Sequence, residues 1–225
     1  QNTSLSYING DIFADALRSG IYKVIKSQEN LNSINVFPVA DADTGTNLCL
    51  SLGPLIKVIE NKKNHHLGTL LIELADKLLD SSRGNSGSII AQFFQGISEY
   101  SGNKSKISPL DFSKSIKLGS NYANDALSEP IEGTIITVIS SFGEAISNEI
   151  KENPNTDFIS MFRVALPLLK IAVVNTKNQL DVLKKANVED AGARGFYLLM
   201  KGFINNIVLN ENESKPEISV NSYIE

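Results

Sequence analysis

The sequence predicts an all-α chain built as an up-and-down array of eight helices, and three observations lead there. Apolar residues recur at helical spacing in eight separate segments, while the alternation of a half-buried strand is scarce. Clusters rich in Gly and hydroxyl residues precede every second one of these segments. A hydrophobic content of 42% with 20% charged residues over 225 positions describes an ordinary globular chain, long enough for one large core.

Taken in order, Ile12, Ala16, Leu17, Gly20, Ile21 and Val24 mark one face of a first helix that Asn9 can cap. Leu48, Leu52, Leu55, Ile56 and Ile59 mark the second, and Leu70, Leu71, Leu74, Ala75 and Leu78 the third. Ile89, Ile90, Phe93, Phe94 and Ile97 form the fourth. The fifth opens at Ser108-Pro109-Leu110-Asp111, which has the spacing of a capping box with Pro at the first helical position. Ile135, Val138, Ile139, Phe142 and Ile146 mark the sixth. The seventh runs from Phe158 through Val173 with Pro167 as a point of kinking, and Phe196, Leu199, Met200, Phe203 and Ile207 mark the eighth. Residues 34–39 are the one short strand candidate, weakened by Pro38. Residues 1–209 are expected to form one domain. The polar, aperiodic stretch 210–225 reads as a linker or disordered tail.

A net charge of −4 argues against nucleic acid as the main partner, because no basic face supplies attraction for phosphates. No apolar run is expected to reach the ~20 residues of a membrane span, and no signal pattern opens the chain. The single cysteine excludes an internal disulfide and fits a reducing, cytoplasmic setting.

The most informative stretch is Asn35-Val36-Phe37-Pro38-Val39-Ala40-Asp41-Ala42-Asp43-Thr44-Gly45-Thr46-Asn47. Two carboxylates one residue apart repel unless a cation or proton lies between them. The Thr-Gly-Thr-Asn that follows opens a helix, whose free N–H groups and positive dipole end attract phosphate. Carboxylates for a hard cation beside donors for an anion suggest a site where Mg²⁺ joins protein and nucleotide. Three further clusters share the pattern: Ser81 to Gly87 before the fourth helix, Glu132-Gly133-Thr134 before the sixth, and Asp190 to Gly195 before the eighth. In an up-and-down array alternate helices start at the same end, so all four clusters should meet at one pole.

Each cluster alone is as well explained by an ordinary capped turn. The Asp turn is not an EF-hand, because Thr46 holds the place of the required Gly and Leu52 that of the required Glu. Neither a P-loop nor a Gly-x-Gly-x-x-Gly is present, so a nucleotide site must be of another kind. His65 and His66 are adjacent and diverge on a helix; they read as part of a polar loop. Cys49 reads as a buried small hydrophobe.

The Asp turn, Arg83-Gly84-Asn85-Ser86-Gly87, Glu132-Gly133-Thr134, and the run from Asp181-Val182-Leu183-Lys184 to Asp190-Ala191-Gly192 resemble the nucleotide-binding domain of the dihydroxyacetone kinase L-subunit superfamily. Asn35-Val36-Phe37-Pro38-Val39 before the aspartates is closest to the fatty-acid kinase branch. The resemblance runs from about Ile8 to Val208. It implies an eight-helix up-and-down antiparallel barrel with the nucleotide site at one pole, holding ATP or ADP through two Mg²⁺ ions.

Carried over by residue, the resemblance makes Asp41 and Asp43 the metal-binding aspartates, and Thr44, Gly45, Thr46 and Asn47 the turn around the phosphates. Gly84, Asn85, Ser86 and Gly87 match the second phosphate loop, and Gly133 and Thr134 the third. Asp190, Gly192 and Gly195 match a loop closing over the nucleotide, where Arg194 adds a cation within reach of a phosphate. A third metal aspartate of the dihydroxyacetone branch falls at Val36, which leaves Asn35 as the substitute oxygen ligand. Ala42 and Ala193 stand where the family has Gly; at a positive φ, Ala costs about 1 kcal/mol.

The reading that follows is a kinase nucleotide domain. Its acceptor, a fatty acyl carboxylate, would come on a partner protein or a further domain. Gln1 and the linker-like tail suggest a piece of a longer chain. Three alternatives stay open: a dihydroxyacetone kinase-type subunit, a nucleotide-binding scaffold without turnover, and a haloacid-dehalogenase-type phosphatase with Asp41 as nucleophile. The last would need alternating strands and helices.

Overall fold

Local sequence signals account for most of the helix boundaries in the computed structural model, which describes residues 3–61, 66–217 and 223. Asn9 opens α1 (Gly10–Lys26), its side chain accepting from the Ile12 N–H at 3.0 Å. The weakly apolar α2 (Gln28–Ser33) buries only Leu31. The expected second helix is two helices, α3 (Thr44–Leu52) and α4 (Leu55–Asn61), divided at Gly53-Pro54. Proline there removes a donor and crowds the preceding turn. His66 caps α5 (Leu67–Ser81) by accepting from the Thr69 N–H at 3.1 Å; His65 lies outside the described residues. Next come α6 (Gly84–Ser101) and α7 (Pro109–Asp125), the latter with the expected Ser108–Asp111 capping box in full. After α8 (Ile135–Glu152), Asp157 caps α9 (Phe158–Asn175), which runs on through Pro167. A 3-10 turn (Thr176–Asn178), α10 (Asp181–Ala186) and α11 (Ala191–Leu209) follow.

Among the described residues the strands are confined to β1 (Ile8–Asn9) and β2 (Lys106–Ile107), paired antiparallel with Ile8 opposite Ile107. Residues 34–39, the strand candidate, form no strand and carry a cis Phe37–Pro38 peptide. The apolar pattern there serves a turn.

Helix neighbours close a circuit: α1 packs on α11, α11 on α9, α9 on α8, α8 on α7, α7 on α6, α6 on α5, and α5 back on α1. α3 lies against α1, α5, α6 and α11. α11 is the hub of the core. Its Phe203 meets Phe13 of α1 and Phe162 of α9 edge-on, and its Phe196 meets Phe93 of α6 and Phe142 of α8 the same way. Such pairs add roughly 0.5–1.5 kcal/mol each beyond the burial of the rings.

The starts of α1, α5, α7 and α9 gather at one end. The β1–β2 pair joins α1 to α7, the Gly68 N–H donates to the Lys104 carbonyl at 2.8 Å, and the Leu5 N–H donates to the Asp157 capping carboxylate at 2.8 Å. The alternate helices α3, α6, α8 and α11 therefore start at the opposite end.

α9 corrects one sequence expectation: with the 3-10 turn it forms a stretch, Phe158–Asn178, apolar and long enough to cross a membrane by length and composition. Phe158, Ile159, Phe162, Ala165, Leu169 and Val173 on its inner face are buried, while Val164, Leu168, Ile171 and Val174 on the other are exposed. After Leu209 the chain leaves helical structure yet keeps contacts: Glu213 bridges Lys23 and Lys26 of α1, and Pro216 is buried.

Candidate functional site

The Asp turn owes its shape to Asn35. Nearly buried at 5% exposure, Asn35 accepts through Oδ1 from the N–H groups of Asp43 and Thr44, each at 3.1 Å. Its Nδ2 donates to the Val39 carbonyl at 3.2 Å and more weakly to that of Phe37. Oδ1 is thus engaged by two N–H groups of the turn, and Asn35 braces it from within. Between the carboxylates, Ala42 adopts φ +54°, the left-handed region natural to Gly. Ala42→Gly should therefore raise stability by about 1 kcal/mol, a Tm gain of roughly 2–4 °C for a chain of this size. A calorimetric scan showing an unchanged or lower Tm would contradict it. Ala193, the other Ala in place of Gly, sits in regular α11 and bears no such strain.

Asp41 is exposed and Asp43 half-buried, and neither carboxylate caps α3. Gly45 and Thr46 of that first turn face α2. Thr46 accepts from Gln28 and Asn32 at 3.0 Å each, and its N–H donates to Asn32 Oδ1 at 3.0 Å. A Cβ on Gly45 would strike the Gln28 carbonyl of α2. Gly45 and Thr46 therefore dock α3 on α2, away from the cleft that Asp41, Asp43, Thr44 and Asn47 line.

α6 starts close beside. Ser51 Oγ donates to the Asn47 carbonyl at 2.7 Å and accepts from the Arg83 N–H at 2.8 Å, tying the two helix starts together. Gly84 has φ +68°, and a Cβ there would stand 2.7 Å from Asn47 Nδ2. No side chain caps α6, and Gly84, Asn85 and Ser86 face the cleft with the first-turn N–H groups. Gly87 packs on Ser51 instead.

At the start of α8, Gly133 has φ +86° and its N–H donates to Thr137 Oγ1 at 2.8 Å. Gly133 lies behind the cleft wall, while Thr134 lines it with its hydroxyl donating to the Ile131 carbonyl at 2.7 Å. α11 completes the arrangement. A Cβ on Gly192 would meet Ser86 Oγ at 2.5 Å and Ile135 Cβ at 3.5 Å, so three helix starts touch at this glycine.

Asp190 caps α11 by accepting from the Ala193 N–H at 2.9 Å. Burial raises its pKa from 3.8 to about 6, against the opposing pull of the Ala193, Ile135 and Gly192 N–H groups. A raised carboxylate pKa means that the folded chain holds this proton more tightly than the unfolded one. Its contribution to stability is thus greatest below pH ~4 and falls as pH climbs to about 6. Asp190→Asn should gain on the wild type over that window, by on the order of 1–3 kcal/mol. Parallel Tm–pH profiles of the two proteins would rule it out.

Two further expected residues stand outside the cleft lining. Arg194 pairs with Glu189 at 3.7 Å and is not in the cleft wall, and Gly195 packs α11 against Leu48 of α3. Sequence reasoning missed Ser51, the tie between α3 and α6, and Glu129, an exposed carboxylate on the cleft lip. It also missed the apolar wall of Ile89, Leu127, Ile131 and Ile135.

The cleft encloses about 390 Å³, the scale of a small-ligand site. One side offers two carboxylates and the α6 N–H groups; the other is apolar. Among the described residues no three His, Cys, Asp or Glu side chains form a metal set. Asp41 and Asp43 line the cleft beside the start of α6, and Mg²⁺ is a cation that takes only one or two carboxylates when phosphate oxygens and water complete its shell. Cys49, by contrast, is buried with its thiol pushed up to about 12, and it takes no part.

The family model for the DAK2 domain matches residues 38–205. An uncharacterized protein of Staphylococcus haemolyticus is 32% identical over 213 residues, covering 95% of this chain and 38% of the relative. Another from Staphylococcus saprophyticus is 33% identical over 200 residues, covering 89% and 36%. The chain thus spans about two fifths of the curated relatives it matches. A dihydroxyacetone kinase from C. freundii, solved in complex with AMP-PNP and Mg²⁺, superposes with a TM-score of 0.65 at 13% identity. That match covers 92% of this chain and 35% of the kinase.

Proposed function

Because this chain belongs to the DAK2 domain family, we propose that its cleft is the nucleotide site of a kinase, a phosphotransferase domain that binds ATP and releases ADP. The observation that carries the reading is the meeting of the Asp41–Asp43 pair, the uncapped start of α6 and the Gly192–Ser86 contact around one 390 Å³ cleft. The AMP-PNP and Mg²⁺ in the C. freundii dihydroxyacetone kinase support it through the shared fold. The seven-helix circuit together with α3–α4 is read as the eight-helix barrel of that family, with α2 and α10 as additions.

Asp41 and Asp43 would hold Mg²⁺, as two ions in the full reading, and the metal would neutralise charge that grows on the phosphate oxygens during transfer. The chain's own part is positioning and electrostatics, on which phosphoryl transfer chiefly depends. The N–H groups of Gly84, Asn85 and Ser86 would take phosphate oxygens, and Asn35 keeps both aspartates aimed at them. Ile89, Leu127, Ile131 and Ile135 would shield the base and ribose from water. The acceptor would come over the cleft mouth on a partner protein or a further domain. The Asn35-Val36-Phe37-Pro38-Val39 approach favours a fatty acyl carboxylate over dihydroxyacetone. A scaffold role without turnover is the second reading, favoured by Ala42, which takes φ +54° between the two aspartates where the resemblance expects Gly.

Titration calorimetry with ATP should show binding in Mg²⁺ and none in chelator, since bare carboxylates would face the phosphates. Equal affinity in both would overturn the proposal. Transfer of the ATP γ-phosphate to a fatty-acid-loaded carrier protein, against carrier alone, separates the kinase from the scaffold.

A further inference from the structure

Tyr223 packs on the end of α3, the helix that begins with the aspartate turn, and reaches its start through Gln28 of α2. Its backbone carbonyl packs on Gly53 at the end of α3, so closely that a Cβ on Gly53 would collide with it. Its hydroxyl accepts from Gln28 Nε2 at 2.6 Å. The second hydrogen of the same amide goes to Thr46 Oγ1 at 3.0 Å, and Thr46 lies in the first turn of α3. Asn32 grips that threonine from the other side, accepting from its N–H and donating to its hydroxyl. A relay therefore runs from Tyr223 through Gln28 to Thr46, three residues after Asp43. The amide can satisfy both acceptors only in one orientation, which fixes the Gln28 side chain.

From this relay we infer that Tyr223 is a positioning residue for the carboxylate turn, setting the aim of Asp41 and Asp43 from the far side of α2. The inference rests on the metal–nucleotide reading of the cleft, but part of its test does not. Without the Tyr223 hydroxyl, Gln28 keeps one bond and gains freedom to leave Thr46. The first turn of α3 then opens more often, and the two aspartates spend less time in the geometry that one cation requires. Gly53, with Pro54 behind it, gives α3 no continuing helix to steady it from its C-terminal end.

The test compares wild type with Tyr223→Phe, which keeps the ring and removes the acceptor, and with Gln28→Leu alone and in combination. In the absence of nucleotide, amide hydrogen exchange at Thr46 and Asn47 should quicken about threefold to tenfold in Tyr223→Phe, the scale of one hydrogen bond. The Tm should stay within about 2 °C, less than a chain of this size shows for 1 kcal/mol. The Mg²⁺ concentration giving half-maximal ATP binding should rise by a similar factor, and Tyr223→Phe should add nothing in the Gln28→Leu background. Unchanged exchange at Thr46 in Tyr223→Phe would overturn the inference, as would an undiminished effect in the double variant. If wild type itself fails to bind Mg-ATP, the reading of the cleft fails, while the exchange result still decides the relay.

Discussion

Asp43→Asn should abolish Mg²⁺-dependent ATP binding, by more than about 100-fold, while leaving the fold without ligand intact. Loss of a residue that merely orients a metal ligand already lowers affinity about 10–100-fold. Asp43 would be one of only two protein ligands, so its loss should exceed that range. The fold survives because the side chain does no structural work: it caps nothing, and the bonds of residue 43 to Asn35 and Asn47 are made by its backbone N–H and carbonyl. Removing one of two neighbouring negative charges also relieves their repulsion when no metal is present. Titration calorimetry beside a thermal scan gives both answers. Wild-type affinity in the variant would remove the aspartate pair from the site, and a Tm fall above about 4 °C would show a structural role instead.

The largest stability effect should come from Gly202→Val, where α1 and α11 cross. A Cβ on Gly202 would stand 2.6 Å from Gly20 Cα and 2.7 Å from the Ser19 carbonyl, and both are backbone atoms that cannot swing aside. Overpacking of this kind costs roughly 1–3 kcal/mol and occasionally more. A branched side chain between two helix backbones belongs at the upper end, a Tm fall of about 6–12 °C for this size of chain. The contrast is Gly143→Ala in α8. There a Cβ would meet only Ile116 Cγ2 at 3.5 Å, an ordinary contact, and Ala should gain up to about 1 kcal/mol in helix propensity. Urea unfolding of both variants measures the pair. A shift of the same sign in each would refute the packing argument.

Much of this architecture was legible in the sequence because long amphipathic helices write their period plainly. Each of the eight apolar segments is helical, the second being divided between α3 and α4. The signal failed where the element was too short or too polar to carry a period. α2 has a single buried residue, Leu31; α10 is six residues long, and β1 and β2 are two residues each. Of the site, the four clusters were visible as Gly and hydroxyl residues before alternate helices, and the structure does bring these helix starts together. Their individual facing was not visible. A glycine that cradles a ligand and a glycine that admits a neighbouring helix look alike in sequence, so Gly45, Gly87 and Gly195 read as cleft residues but pack on α2, Ser51 and Leu48. Arg194 read as a phosphate contact because Glu189, its partner, lay unmarked five residues upstream. Glu129 left no signal at all, being a lone acid in a polar loop.

The two ends of the molecule are finished differently. Where α1, α5, α7 and α9 begin, Asn9, His66, Ser108 and Asp157 each close the helix with a side chain. At the other end α3, α6 and α8 begin without one, and only Asp190 of α11 does so. The first end therefore spends its helix-start N–H groups inside the fold, while the starts of α3, α6 and α8 keep theirs without a side-chain acceptor. Asp190 is the exception at the open end, a helix-closing side chain whose burial raises its pKa to about 6.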